Sequence, residues 1–77
     1  MNITIYTKSG CPNCVTAKNL LASKGIGYEE IDCDNSHELT GLLIDYPEAR
    51  QMPQIFINNQ RVGGLVGLQA ALKELGL

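Results

Sequence analysis

The sequence predicts one α/β domain over residues 1–77, a four-stranded mixed sheet flanked by three helices in the order β-α-β-α-β-β-α. Three observations carry that prediction. Ile3-Thr4-Ile5-Tyr6 alternates with period two and Gln54-Ile55-Phe56-Ile57 is nearly all apolar, as strands are. Apolar groups recur at helical spacing through Cys14, Ala17 and Leu21, and again through Leu65, Leu68, Leu72 and Leu75. Turn residues cut the chain between these stretches: Gly25 and Gly27, Pro47, Asn58-Asn59, and Gly63-Gly64.

Taken in order, the first strand turns its two isoleucines to one face. The first helix should run from about Pro12 to Lys24, with Gly25 as its stop. Tyr28-Glu29-Glu30-Ile31-Asp32 reads as a short second strand. Two strands joined by a helix of this length form a βαβ unit, so they should be parallel. Asp34-Asn35-Ser36 looks like a loop with a helix cap, and Leu39, Leu42 and Leu43 carry a second helix toward Tyr46, ended by Pro47. The segment Glu48-Ala49-Arg50-Gln51 is a connection. Gln54–Ile57 is the strongest strand signal, and Asn58-Asn59 is a two-residue turn into a return strand over Gln60-Arg61-Val62. Gly63-Gly64 breaks that strand before the last amphipathic helix.

Bulk properties narrow the function. The composition, 44% apolar and 18% charged, is that of a folded domain rather than a disordered chain. The net charge is −2 and there is no basic block, so nucleic acid is not an expected partner. No apolar run is long enough to span a bilayer, so no membrane is expected. Met1-Asn2-Ile3-Thr4 lacks the basic start and apolar core of a signal peptide, and three cysteines make no disulfide framework. Both point to the cytoplasm. A monomer is expected.

The chemistry is concentrated in Lys8-Ser9-Gly10-Cys11-Pro12-Asn13-Cys14, a Cys-x-x-Cys where a strand becomes a helix. Residues three apart on a helix have Cβ atoms roughly 5–6 Å apart. A disulfide needs about 3.5–4.5 Å. A small adjustment of the first turn closes that gap, so the bond can form and break without refolding. Pro12 suits the first helical position. Cys11 then lies at the cap, exposed, and Cys14 one turn in, more buried. The helix terminus and the N–H groups of Asn13 and Cys14, with the Lys8 ammonium, favour a thiolate at Cys11. Cys11 is the expected nucleophile, and Cys14 resolves the mixed disulfide. The competing reading is half a zinc site, but that needs four ligands and only Cys33 and His37 remain. These two are expected at the far end of the second strand and the start of the second helix, Cys33 as a structural thiol and His37 as a solvated residue. Pro53, on its own, reads as the start of an edge strand.

Tyr6–Cys14, Met52-Pro53-Gln54-Ile55-Phe56-Ile57 and Gly63-Gly64 together resemble the glutaredoxins in order and spacing, over nearly the whole chain. The resemblance implies a thioredoxin-like fold and thiol–disulfide exchange in which Cys11 attacks, Cys14 resolves and glutathione restores the dithiol. It implies no bound cofactor, with glutathione as reductant and co-substrate. Protein disulfides such as that of ribonucleotide reductase are the implied electron acceptors. It implies a cis bond before Pro53, which would turn the main chain of Met52 toward glutathione. It assigns the N–H groups of Leu65 and Val66, after Gly64, to the γ-glutamyl carboxylate, and Lys8 with Arg50 or Gln51 to the glycyl carboxylate. Asn13, between the cysteines, is counted in this set.

Two departures stand out. Glutaredoxins usually carry an aromatic residue where Asn13 stands, and an acidic residue after the double glycine, where this chain has Val66-Gly67. The missing acid removes a partner for the amino group of glutathione. A charged hydrogen bond contributes about 1.5–3 kcal/mol, so glutathione is expected to bind roughly ten- to a hundredfold more weakly. That leaves open a glutaredoxin-like redoxin reduced by thioredoxin reductase; the resemblance separately leaves open an iron–sulfur cluster held between two subunits by Cys11 and glutathione, as some glutaredoxins do.

Overall fold

The first strand, β1 (Ile3–Thr7), turns Ile3, Ile5 and Thr7 inward on one face, while Thr4 and Tyr6 are half-buried on the other. That alternation decides the layering of the whole molecule. In the computed structural model, which describes residues 1–34, 36–47 and 51–77, with 36–40 described in backbone only, six further elements follow. They are α1 (Pro12–Ser23), β2 (Glu29–Asp32), α2 (Ser36–Asp45), β3 (Gln54–Ile57), β4 (Gln60–Gly63) and α3 (Leu65–Glu74). The expected element order holds, with ends shifted by a residue or so. Glu48, Ala49 and Arg50 lie outside the described residues.

The sheet runs β2-β1-β3-β4. β1 and β2 are parallel, with Thr7 opposite Asp32, as the βαβ reading requires. β3 runs antiparallel to both β1 and β4, and every residue of it is buried. Ile55 and Ile57 face one side and Phe56 the other, so β3 serves two cores. The first core sets Ile3, Ile5, Ile55 and Ile57 against Ala17 and Leu21 of α1 and Leu68 and Leu72 of α3. The second sets Phe56 against Leu42 of α2, Met52 and the cysteines. Tyr6 and Tyr46 meet the Phe56 ring edge-on at 5.7 and 5.2 Å between centroids.

Local chemistry explains the ends. Gly25 takes φ +67°, and the bonds Gly25 N–H to Ala22 O and Ile26 N–H to Leu21 O, both 3.0 Å, close α1 in a Schellman turn. Asn58 and Asn59 take φ 51° and 68°, the paired left-handed turn that matches strand twist. Gly63 was expected to break the strand. It instead extends β4 opposite Ile55, at φ +98° beside a register shift, which a residue without Cβ tolerates.

Candidate active site around Cys11 and Cys14

Cys11 caps α1 with extended backbone (φ −112°, ψ 98°), and Pro12 fills the first helical turn. The Cys14 N–H points at Cys11 Sγ, 3.1 Å away. The same N–H also lies 3.1 Å from the Cys11 carbonyl oxygen, to which the Val15 N–H donates at 3.3 Å. The sulfur at the helix start therefore meets a donor and the positive end of the helix dipole together. Cys11 and Cys14 are joined as a disulfide with Cα atoms 5.2 Å apart.

The expected exposure of Cys11 is corrected. It is 8% exposed and Cys14 2%. Cys14 is the deeper of the two, as expected, but Cys11 is covered because the chain before β3 folds over it. Its Sγ lies 3.4 Å from the Met52 carbonyl oxygen, next to a cis Met52–Pro53 bond. Sequence spacing cannot reveal this cover, which comes from a segment 41 residues away.

Along the Met52–Pro53 wall runs a groove of about 400 Å³. Asn13, Gln51, Met52, Pro53, Gly64, Leu65 and Val66, all expected around a ligand, line it together with Gln54. At its far wall the N-terminus of α3 begins at Gly64 with no side-chain cap and no acidic residue in the first turn. Its first N–H groups have no partner within the helix, so they can meet an anion. Gly67 is the third residue of α3, where a Cβ would overlap the carbonyl of Val62. The first turn of α3 therefore rests closer to β4 than any other residue at 67 would allow.

Lys8 is not part of that groove. It lines a separate cleft with Cys11, Cys14, Lys18 and Glu30, because the Lys8-Ser9-Gly10 loop sits above β2 rather than β3. Arg50 lies outside the described residues. His37 falls in α2 and its side chain is likewise outside them. Cys33 is a buried thiol just past β2. The parallel register brings that strand end level with β1, so the Cys33 N–H donates to Thr7 O at 2.7 Å and its side chain joins the buried cluster of Cys11 and Cys14.

Two polar networks near the site carry no sequence motif. Ser9 donates to Asp34 through its N–H (3.1 Å) and through its hydroxyl, which ties the loop before Cys11 to the end of β2. The Ser9 hydroxyl first, then its N–H, hold the Asp34 carboxyl below its usual range. The hydroxyl of buried Thr7 donates to Glu30 Oε2 at 2.7 Å, and Lys18 Nζ reaches the same oxygen at 3.0 Å. The Thr7 hydrogen bond and then Lys18 lower the Glu30 pKa. Partners 23 and 12 residues from Glu30 leave no local signal; only the β1–β2 register could have found them.

Known proteins share this arrangement. The glutaredoxin family model matches residues 3–62. Glutaredoxin 3 of Escherichia coli K12 is 41% identical over 76 residues, covering 99% of this chain and 92% of that protein. The structure of reduced Escherichia coli glutaredoxin superposes with a TM-score of 0.80 at 30% identity, over 100% of both chains. The glutaredoxin-like NrdH-redoxin of Escherichia coli, whose structure is described as the basis of a thioredoxin-like activity profile, gives 0.74 at 26% identity, over 91% of this chain and 93% of that one. A sheet of this order, a Cys-x-x-Cys at the strand-to-helix junction and a cis proline against it are thus found with the family's sequence, and the chain belongs to the glutaredoxins, thiol–disulfide oxidoreductases of thioredoxin-like fold.

Proposed function

We propose that this chain is a dithiol glutaredoxin in which Cys11 is the nucleophile, Cys14 the resolving thiol and glutathione the reductant. The observation that carries the reading is the groove of Asn13, Gln51, Met52, Pro53, Gly64, Leu65 and Val66 alongside Cys11 Sγ. A tripeptide laid along it finds main-chain partners at Met52, as an added strand does. Its γ-glutamyl carboxylate meets the N–H groups of Leu65 and Val66 at the start of α3. Gln51, which lines the groove, is assigned to the glycyl carboxylate; Arg50, assigned there with it from the family resemblance, lies outside the described residues. Lys8, across the disulfide, serves the thiolate by its charge.

The steps balance as exchange. With a glutathione mixed disulfide, the Cys11 thiolate attacks the glutathione sulfur; the Cys11–glutathione bond forms and the target leaves as thiolate. A second glutathione thiolate then takes that glutathione sulfur, giving glutathione disulfide and the Cys11 thiolate again. With a protein disulfide, Cys11 forms the mixed disulfide and Cys14, losing its proton, attacks Cys11 Sγ. The protein leaves as a dithiol and the Cys11–Cys14 bond remains for two glutathiones to reduce. Ribonucleotide reductase is one such acceptor, and a monomer in the cytoplasm with no resident cofactor meets the requirement.

A second reading has its own support. Val66 is 78% exposed and Gly67 has no side chain, so the first turn of α3 offers no carboxylate to the glutathione amino group. That favours reduction by thioredoxin reductase. A coupled assay tests both: glutathione with its reductase in one run, thioredoxin reductase in another. Turnover only with thioredoxin reductase rejects glutathione as electron source. A protein that is brown as purified, and inactive in both runs, favours the cluster-binding alternative.

A further inference from the structure

The sheet order places β2 and β3 on opposite sides of β1, so the disulfide has two flanks. One faces the Pro53 groove. The other opens on a cleft of about 270 Å³ whose lining includes Cys11, Cys14, Thr7, Lys18 and Glu30. Lys18 follows Cys14 by four residues on α1, which puts both on one helix face. Glu30 reaches in from β2, fixed by the hydroxyl of Thr7, which is 4% exposed, and by the Lys18 ammonium. The side chains of Lys18 and Glu30 are 30% and 39% exposed, so their pairing adds little to stability. Its place beside the sulfurs calls for another role.

We propose that Lys18 and Glu30 each bias the balance between disulfide and dithiol at Cys11 and Cys14, in opposite directions, as two charges held in the cleft that the sulfurs line. The inference rests on the exchange chemistry proposed above. Reduction breaks the Cys11–Cys14 bond and joins two glutathiones, with two electrons passing from their thiols to the protein sulfurs. Cys14 keeps one proton; Cys11 remains a thiolate and the other proton goes to solvent. The oxidised pair is neutral and the reduced pair carries a negative charge, so nearby fixed charges act on the reduced form alone. Lys18 favours that form and Glu30 opposes it. The other charges lining the cleft are Lys8 and Asp32, while Asp34 is engaged by Ser9. On the remaining flank, α2 and the chain into β3 bring Leu42, Tyr46, Met52 and Phe56, with no charge among these described residues.

The test is an equilibrium constant measured at fixed pH and low salt against a mixture of glutathione and glutathione disulfide. Glu30→Gln keeps the acceptor for Thr7 and removes only the charge; it should shift the constant about two- to fivefold toward the dithiol. Lys18→Gln should shift it by a similar factor toward the disulfide. The double variant should return to within about twofold of the parent, since the opposed terms cancel. A single variant that fails to move, or two that move in one direction, overturns the proposal. The same proteins are equilibrated against dithiothreitol. A chain that exchanges with dithiothreitol but not with glutathione overturns the glutathione reading alone, and the charge pair is then judged on the dithiothreitol constants.

Discussion

Cys11 Sγ sits 3.4 Å from the carbonyl oxygen of Met52 and 3.1 Å from the Cys14 N–H nitrogen. The sulfur is thus placed between a helix start, which favours negative charge, and the main-chain segment that forms one wall of the Pro53 groove. Functional consequences follow from that placement and from the residues around it.

Replacing Cys14 by Ser should preserve reduction of glutathione mixed disulfides and abolish reduction of protein disulfides by the two-thiol route. Cys11→Ser should lose both. The assays are a glutathione mixed disulfide of a small thiol and an insulin-type protein disulfide. Loss of both activities in Cys14→Ser would show that Cys11 does not act alone.

In the reduced protein, Cys11 should ionise below the ordinary thiol range of about 8.5. The helix terminus contributes about 0.3–1 kcal/mol, roughly one pH unit or less, and the Cys14 N–H adds to it. Thiolate absorbance in the ultraviolet, read in the Cys14→Ser protein, measures this directly; an ordinary titration would contradict the nucleophile assignment.

Val66→Asp should tighten glutathione. Val66 projects from the first turn of α3 at the groove, and a carboxylate there supplies the missing partner for an amino group. The KM for glutathione should fall about ten- to a hundredfold, with kcat little changed. Gly67→Asp should not reproduce it. Its Cβ would meet the Val62 carbonyl, so α3 must shift and the urea midpoint should fall.

Acid should weaken the fold through two carboxylates. Glu30 and Asp34 are held below their ordinary values of 4.5 and 3.8, chiefly by the hydrogen bonds from Thr7 and Ser9. A depressed folded pKa means stability that is present above the unfolded value and lost as pH falls through the folded one. Urea unfolding followed from about pH 6 down to about pH 3 should show this loss. In Glu30→Gln and in Asp34→Asn the fall should be shallower. A parallel decline in all three proteins would remove the claim.

Leu21→Ala should cost about 2–5 kcal/mol, since Leu21 is fully buried between α1 and the sheet. The check is a lower urea midpoint with an unchanged slope.

The groove along Pro53 is legible in part. Met52, Pro53, Gly64, Leu65 and Val66 are reached through the family resemblance, which rests on Met52-Pro53 and on Gly63-Gly64 just before Leu65. The same resemblance assigns Lys8 to glutathione, yet it lines the opposite cleft. A residue's distance along the chain from Cys11 says nothing of which neighbouring strand its loop overhangs. The Thr7–Glu30–Lys18 network and the packing of Cys33 with the active-site cysteines depend on the parallel register of β1 and β2, and no local pattern encodes a register.

The amino-acid order alone determined the elements, their sequence along the chain, and the pairing of Cys11 with Cys14. Those follow from periodicity, turn residues and the i, i+3 geometry of a helix start, all of which are local. Tertiary structure decided how deeply Cys11 is covered, which flank each ligand-binding candidate occupies, and which charges face the sulfurs. These depend on strand order and register, where residues distant in sequence become neighbours only because two faces of one sheet must each be buried.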